Sequence, residues 1–222
     1  MNAVLFRRTL VGVAAFLVVF LPVSIAAQTG SVGDPTTPAQ ADEHPLRDTV
    51  EFLTGSAIGL GMHEAGHLLF DAMFDARPGM AGVHFGPIPF FAITHRNDLS
   101  PRREFTISSA GFWVQEASNE WLLTRRPALR RESAPLAKGL FVFNVLNSVG
   151  YAVVAFARAG PAERDTRGIA ASSGIDERAI GALVLAPALL DAYRYFRPDA
   201  RWAKWGSRSA KVGSVMLVLK RP

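Results

Sequence analysis

Four long apolar segments dominate this chain of 222 residues. They cover residues 50–74, 104–123, 136–158 and 179–196, and each is long enough for a helix of about five turns or more. Arginines cluster near the segment ends, at Arg102, Arg103, Arg125, Arg126, Arg130, Arg131, Arg194, Arg197 and Arg201. Such clusters are typical of helices anchored at lipid headgroups. We therefore predict an all-α membrane protein with about four core transmembrane helices.

The composition agrees with this prediction but leaves one alternative open. Hydrophobic residues make up 49% of the chain and charged residues 19%, which excludes an intrinsically disordered protein. The segment 104–123 is the weakest transmembrane candidate, because it contains Gln115, Glu116, Asn119 and Glu120. The alternative is a soluble helical bundle with basic loops. If all four segments cross the membrane, the basic connections lie on opposite sides of it, so the positive-inside rule does not orient the chain.

Two shorter stretches have a different character. Residues 80–97 are rich in β-branched and aromatic residues and are interrupted by Gly86, Pro87 and Pro89, which predicts a small β-hairpin inserted after the first core helix. Residues 211–220 are compatible with either a short strand or an interfacial helix.

The N-terminal region precedes the core. Arg7 and Arg8 are followed by a 12-residue apolar run and then by small residues at 24–27, a pattern typical of a cleaved signal peptide or, alternatively, of an N-terminal anchor. Residues 28–49 contain three prolines among polar residues and predict a flexible linker. We therefore divide the chain into a signal peptide or anchor (1–27), a linker (28–49) and a membrane-embedded domain (50–222).

The sequence His63-Glu64-Ala65-Gly66-His67 lies inside the first apolar segment. Residues four apart share one face of a helix, so His63 and His67 can present both imidazoles to one metal ion. Glu64 lies about 100° around the helix from His63, where it can take a proton from an attacking water and pass it to a leaving amine. Three ionisable groups on adjacent turns of an apolar helix are costly unless they have a function or satisfy one another. The structural alternative is a His–Glu–His set that forms hydrogen bonds with neighbouring helices.

A catalytic zinc site normally has three protein ligands, and the third is not adjacent to this motif. The chain contains no cysteine, so a carboxylate is the natural choice. The candidates are Asp165, Asp191, Glu116 and Glu120. Each also has a structural interpretation, as a surface charge or as the partner of a nearby arginine, and the residues themselves leave the choice open.

The order of these elements resembles the site-2 protease family of intramembrane zinc metalloproteases. His63, Glu64 and His67 match the family's first motif, and residues 82–95 occupy the place of its extended hairpin. Residues 109–112 (SAGF) resemble the Ala-Gly-Pro motif with which the family's next helix opens. The resemblance covers residues 50 to about 196.

Further along the chain the resemblance implies the third ligand. Residues 144–147 (NVLN) resemble the Asn-containing helix that precedes the family's aspartate ligand, and Asp165 lies at about the right distance from His67. We rank Asp165 first on spacing, Asp191 second on burial, and Glu116 or Glu120 third. The chain is a divergent member on this interpretation, because Phe112 replaces a usual proline and Thr166 follows Asp165 instead of glycine.

The resemblance implies a zinc-dependent metallopeptidase that cleaves peptide bonds in or near a bacterial inner membrane. Zn²⁺ would be held by His63, His67 and Asp165, and Glu64 would be the catalytic base. The expected partners are the lipid bilayer and a protein or peptide substrate; no nucleic-acid-binding module is recognisable. Two alternatives remain: a soluble or peripheral zinc peptidase with a glutamate ligand, and a non-enzymatic membrane protein that retains the motif.

Overall fold

The computed structural model describes residues 45–85 and 88–219. Within these ranges the chain is mostly helical, with one small antiparallel sheet. The elements in chain order are α1 (Pro45–Met73), β1 (Gly79–Phe85), β2 (Ile88–Thr94), α2 (Pro101–Arg125), α3 (Pro135–Ala157), α4 (Asp165–Ser173), α5 (Glu177–Phe196) and α6 (Arg201–Leu219). The prediction of a helical fold with a β-hairpin after the first helix is confirmed.

The two central helices, α1 and α3, run parallel and approach each other closely. The crossing depends on glycine: a Cβ on Gly55 would lie 2.0 Å from the carbonyl oxygen of Leu136, and a Cβ on Gly139 would lie 1.9 Å from that of Phe52. Neither position accepts a side chain without moving the backbone. This contact fixes the height of the His63 motif against α3.

Helices α2 and α5 run antiparallel to α3, and α6 packs beside both of them. At one end of the bundle, a core cluster of Leu122, Leu123, Leu129, Ala137, Leu140 and Phe141 joins α2 to α3 through a one-turn 3-10 helix at Leu129–Arg131. At the other end, Phe105, Phe112, Ile169, Ile180 and Val184 join α2, α4 and α5. The residues of the His-Glu-x-x-His motif lie nearer the second end.

The hairpin lies at that same end. Its strands pair from Gly79 opposite Thr94 to Phe85 opposite Ile88. The backbone N–H of Arg96 donates to the carbonyl oxygen of Ala76 at 3.0 Å, which attaches the end of the hairpin to the loop after α1. Strand β2 is the one that contacts α1.

Two helices of the described part of the chain, α3 and α5, are long and apolar enough to cross a membrane. Neither α1 nor α2 meets that criterion, so crossing by all four predicted segments stays a prediction. The polar residues of α2 that made it the weakest candidate face the interior of the bundle: the side chains of Gln115 and Asn119 are buried.

Some boundaries differ from the sequence prediction. Helix α1 begins at Pro45, so the last part of the predicted linker is helical; the predicted signal peptide and the rest of the linker lie outside the described residues. Residues 211–219 form the second half of α6, which decides between strand and helix. The short helix α4 was not predicted, because no apolar segment marks it.

Candidate metal centre

His63 and His67 form the floor of the candidate site. They lie one turn apart on α1, with only 1% and 5% of their surfaces exposed. Their Nε2 atoms are 3.2 Å apart and their rings meet edge to face, with centroids 4.9 Å apart. Two buried imidazoles held with their ring nitrogens converging are a typical half of a metal site.

Asp165 completes the group from another helix. It is the first residue of α4, and its Oδ2 atom lies 3.1 Å from Nε2 of His63 and 3.4 Å from Nε2 of His67. The loop before it is fixed by its neighbour Arg164, whose guanidinium makes two hydrogen bonds, at 2.7 and 2.8 Å, to the carboxylate of Glu177 on α5. This ion pair places Asp165 over the two histidines.

The spacing of these atoms fits a divalent metal ion. In a tetrahedral zinc site with bonds of about 2.0–2.1 Å, neighbouring ligand atoms lie about 3.3 Å apart. The three separations among His63, His67 and Asp165 are 3.1, 3.2 and 3.4 Å. One ligand atom from each residue lies within 4.8 Å of the other two. The group can therefore hold one ion with a fourth position left for water or substrate.

Neighbouring groups fix the orientation of both rings. The Nδ1–H of His67 donates to the carbonyl oxygen of Ile107 at 2.7 Å, which turns Nε2 toward the site, the orientation that outer hydrogen bonds give to ligand histidines. His63 lies between two aromatic rings, with Phe112 edge-on at 5.5 Å and Tyr151 stacked at 5.8 Å between centroids.

Gly111 lies on α2, directly against the two histidines. A Cβ at this position would be 2.5 Å from Cε1 of His63 and 2.6 Å from Nε2 of His67. The absence of a side chain is what allows α2 to pack over both rings. This gives a physical reason for the glycine in the SAGF sequence, which lies in the middle of α2 and not at a helix opening.

The two histidines stabilise the ionised form of the Asp165 carboxyl. Burial would raise the pKa of the Asp165 carboxyl, but the imidazoles of His67 and His63 outweigh burial and hold its pKa well below the usual range. Asp165 is therefore ionised at neutral pH, which is the state a metal ligand needs.

Glu64 lines the same small cavity as His67 and Asp165, on the side covered by the hairpin. The cavity has a volume of about 30 Å³, and the other side chains around it include Tyr151 of α3 and Phe91 of β2. This space suits about one or two water molecules. The carboxylate of Glu64 thus faces the space in front of the ligand atoms, without belonging to the ligand group.

The other three carboxylate candidates are not brought to the histidines. Asp191 is buried and bonds to Lys211 at 2.8 Å and to Arg194 at 3.1 Å. Glu120 pairs with the same two cations and with Arg208, and Glu116 accepts from Ser214. Each of the three carboxylates therefore has a partner within the protein and needs no metal. The arginine partners of Asp191 and Glu120 agree with the interpretation of these residues as members of salt bridges.

The structure adds Tyr151, which the sequence analysis did not single out, and it shows how polar residues of two apolar segments pair. Tyr151 reaches the cavity from α3, and its hydroxyl interacts with Asp165. Asn147 donates to Gln115 at 3.3 Å, and Asn144 donates to Asn119 at 2.9 Å; these two contacts join α3 to α2 beside the site. Polar residues three or four apart on two apolar segments were the available signal for these pairs.

The two histidines of the hairpin region lie outside the ligand group. His84 is exposed on β1. His95, just after β2, bonds to Glu104 of α2 at 2.7 Å and lies 3.7 Å from the fully buried Asp71 of α1. His95 therefore ties the end of the hairpin to both helices, which is a structural role.

Comparisons with protein-family models, with curated proteins and with solved structures found no match to this chain.

Proposed function

We propose that this protein is a zinc-dependent membrane metallopeptidase of the site-2 protease type. The observation that carries the proposal is the convergence of His63, His67 and Asp165 at separations of 3.1 to 3.4 Å, with Glu64 beside them on the wall of one cavity. Zinc bound at this group would polarise the scissile carbonyl and lower the pKa of a water ligand toward about 7.

Each residue of the candidate site then has a defined role in the proposed reaction. His63, His67 and Asp165 hold the ion, while Ile107 and the aromatic neighbours of His63 keep the rings in place. Glu64 takes a proton from the attacking water and delivers it to the nitrogen of the leaving amine. No other group is needed for the proton transfer.

Access to this centre involves the hairpin. Phe90, Phe91, Ala92 and Ile93 of β2 line the cavity with Glu64, and its volume of about 30 Å³ is too small for a peptide. A second cavity, of about 240 Å³, borders His67 and Asp165 beside the hairpin. A substrate in an extended conformation would displace β2 or approach through this second cavity, and pairing with a strand edge of the hairpin would supply main-chain hydrogen bonds without demanding a particular sequence. We place the protein in a membrane that it crosses several times. The two candidate membrane spans, α3 and α5, support that part of the proposal.

The soluble-peptidase alternative is not favoured, since Glu116 and Glu120 are engaged with α6.

The test of the proposal is Glu64→Gln, with Glu51→Gln on the same helix as the matched control. The purified proteins are compared for zinc content by elemental analysis and for cleavage of an unstructured protein such as casein in detergent.

We expect Glu64→Gln to keep one zinc per chain and to lose cleavage, because the amide cannot accept the proton. The Glu51→Gln control should keep both properties. Loss of zinc from Glu64→Gln would show that Glu64 is a ligand. Zinc binding without cleavage by the wild type, in detergent and in liposomes, would favour the non-enzymatic membrane protein.

A further inference from the structure

Helix α6 distributes its side chains in the opposite way from a helix on a soluble protein. Its large apolar residues point outward: Trp202, Trp205 and Val212 are each more than 60% exposed, and Val215 and Met216 are also exposed. In a soluble bundle these residues would face the core. A contiguous apolar face of this size marks an interaction surface.

Two polar residues of α6 are buried against the bundle. Ser207 is fully buried, and Lys211 is 8% exposed. The ammonium of Lys211 lies 2.8 Å from the carboxylate of Asp191 on α5 and 3.2 Å from that of Glu120 on α2. Helix α6 is thus attached to the bundle through salt bridges and hydrogen bonds, while its large apolar side chains lie on the outer surface.

The neighbouring helices continue the same outer surface. On α5, which is one of the two candidate membrane spans, Leu189 is 53% exposed and Phe196 is 59% exposed. Helices α5 and α6 are joined at this surface by the rings of Tyr193 and Trp202, whose centroids lie 4.9 Å apart. The apolar face of α6 is therefore continuous with the exposed face of α5, a helix that is long and apolar enough to cross a membrane.

A groove between α2 and α6 belongs to this surface. Its volume is about 780 Å³, and its floor and walls include Trp113, Trp121, Val212, Val215 and Met216. Of the three cations that line it, Arg208 and Lys211 are turned toward Glu120, and Arg125 is exposed at the end of α2. An apolar groove in which two of the three cations are paired from within suits a flexible hydrocarbon chain.

The length of α6 and its first residues fit a bilayer. Nineteen residues span about 28 Å, against a hydrocarbon thickness of about 30 Å. Trp202 and Trp205 lie in the first turns, next to Arg201 and Lys204. Tryptophan with basic residues at one end of an apolar face is typical of the membrane–water interface.

We infer that α6 is a further membrane-embedded helix whose outer face, formed by Trp202, Trp205, Val212, Val215 and Met216, contacts the acyl chains of phospholipids. Hydropathy does not reveal it, because Arg208 and Lys211 lower the average although both are paired inside the bundle. The inference is independent of the chemistry at the metal centre.

The absence of cysteine makes a direct test possible. Single substitutions Val212→Cys and Met216→Cys are labelled with a nitroxide in the full-length protein, which is then reconstituted in phosphatidylcholine liposomes. Electron paramagnetic resonance measures how accessible each label is to oxygen, which concentrates in lipid, and to a water-soluble nickel complex. Val153→Cys on α3, where the side chain is 59% exposed, is the lipid control. Asp98→Cys, in the loop after the hairpin, is the aqueous control.

We expect the labels at 212 and 216 to match the label at 153, with oxygen accessibility several-fold above nickel accessibility. Nickel accessibility like that at 98 would overturn the inference and place α6 in water. Low accessibility to both reagents would also overturn it, because a second copy of the chain or another protein would then cover the face. An aqueous label at 153 as well would show that the bundle does not enter the bilayer.

Discussion

Replacing Gly111 with alanine should damage the metal centre without touching a ligand residue. The new Cβ would lie 2.5 Å from Cε1 of His63 and 2.6 Å from Nε2 of His67, whereas ordinary carbon–carbon contacts are about 3.5–4.0 Å. One or both rings therefore have to move by about 1 Å. His63 cannot yield easily, because Phe112 and Tyr151 enclose it.

The magnitude follows from the geometry of zinc. Ligand distances in zinc sites hold within about 0.2 Å, and substitutions that only disturb the orientation of ligands cost about 10–100-fold in metal affinity. A displacement of about 1 Å at two ligands should reach at least the upper end of that range. We expect an affinity loss of about 100-fold or more, which is about 2.7 kcal/mol. Overpacking should also cost the metal-free protein about 1–3 kcal/mol.

The assay is competition for zinc against a fluorescent chelator, with thermal unfolding of the metal-free protein measured in parallel. Gly61→Ala is the control, because it lies on α1 two residues before His63 and a Cβ there meets nothing within 4 Å. That variant should bind zinc normally and gain up to about 1 kcal/mol from helix propensity. Wild-type zinc affinity in Gly111→Ala would refute the argument that this glycine seats the two imidazoles.

Three further predictions concern other parts of the molecule. Asp165→Ala should lower zinc affinity by more than about 100-fold. Asp191→Ala should leave zinc stoichiometry unchanged and destabilise the fold by about 1.5–3 kcal/mol, since it removes one of the two carboxylates that neutralise the buried cations of α5 and α6 and leaves only Glu120. The hydrogen bond with Glu104 raises the pKa of His95, although burial opposes it; the stability that this pair contributes should be complete below about pH 6.5 and lost as the pH rises through the raised pKa. Gly139→Ala should cost about 1–3 kcal/mol, because its Cβ meets the backbone of α1.

Each of these three predictions has a control or an outcome that would contradict it. Full zinc occupancy in folded Asp165→Ala, with loss in Asp191→Ala, would reverse the ligand assignment. His95→Gln should flatten the pH dependence of chemical unfolding, and an unchanged profile would show that another group titrates. Gly150→Ala, where a Cβ meets nothing within 4 Å, is the control for Gly139→Ala and should not destabilise the protein.

The sequence indicated the helical segments and the hairpin because both depend on local patterns. Helical periodicity placed His63 and His67 on one face. The separation from His67 that the resemblance to the site-2 protease family implies favoured Asp165, which lies beside the two histidines in the structure. That these three residues bind zinc stays a prediction. The short helix α4 was missed because it is formed by tertiary contacts: Ile169 enters the core, and the Arg164–Glu177 pair fixes its start.

Other features could not be read from one sequence because they depend on how helices cross. Gly111 has no local reason to be glycine; only the distance between α2 and the two imidazoles requires it. Likewise, Lys211 and Arg208 look like solvated charges in the sequence, and only the positions of Asp191 and Glu120 on neighbouring helices show that they are internal partners.

The hairpin that lies over the candidate site has a consequence for exchange kinetics. Strand β2 leaves about 30 Å³ beside the ligand atoms, and its end is fastened by His95 to Glu104 and by Arg96 to Ala76. The second cavity, of about 240 Å³, also borders His67 and Asp165, and His95 and Glu104 form part of its wall. A bound ion would therefore have a route past this contact as well as beneath the strand. A chelator should strip zinc faster from a His95→Gln variant than from the wild type, because the substitution weakens the contact that closes this side.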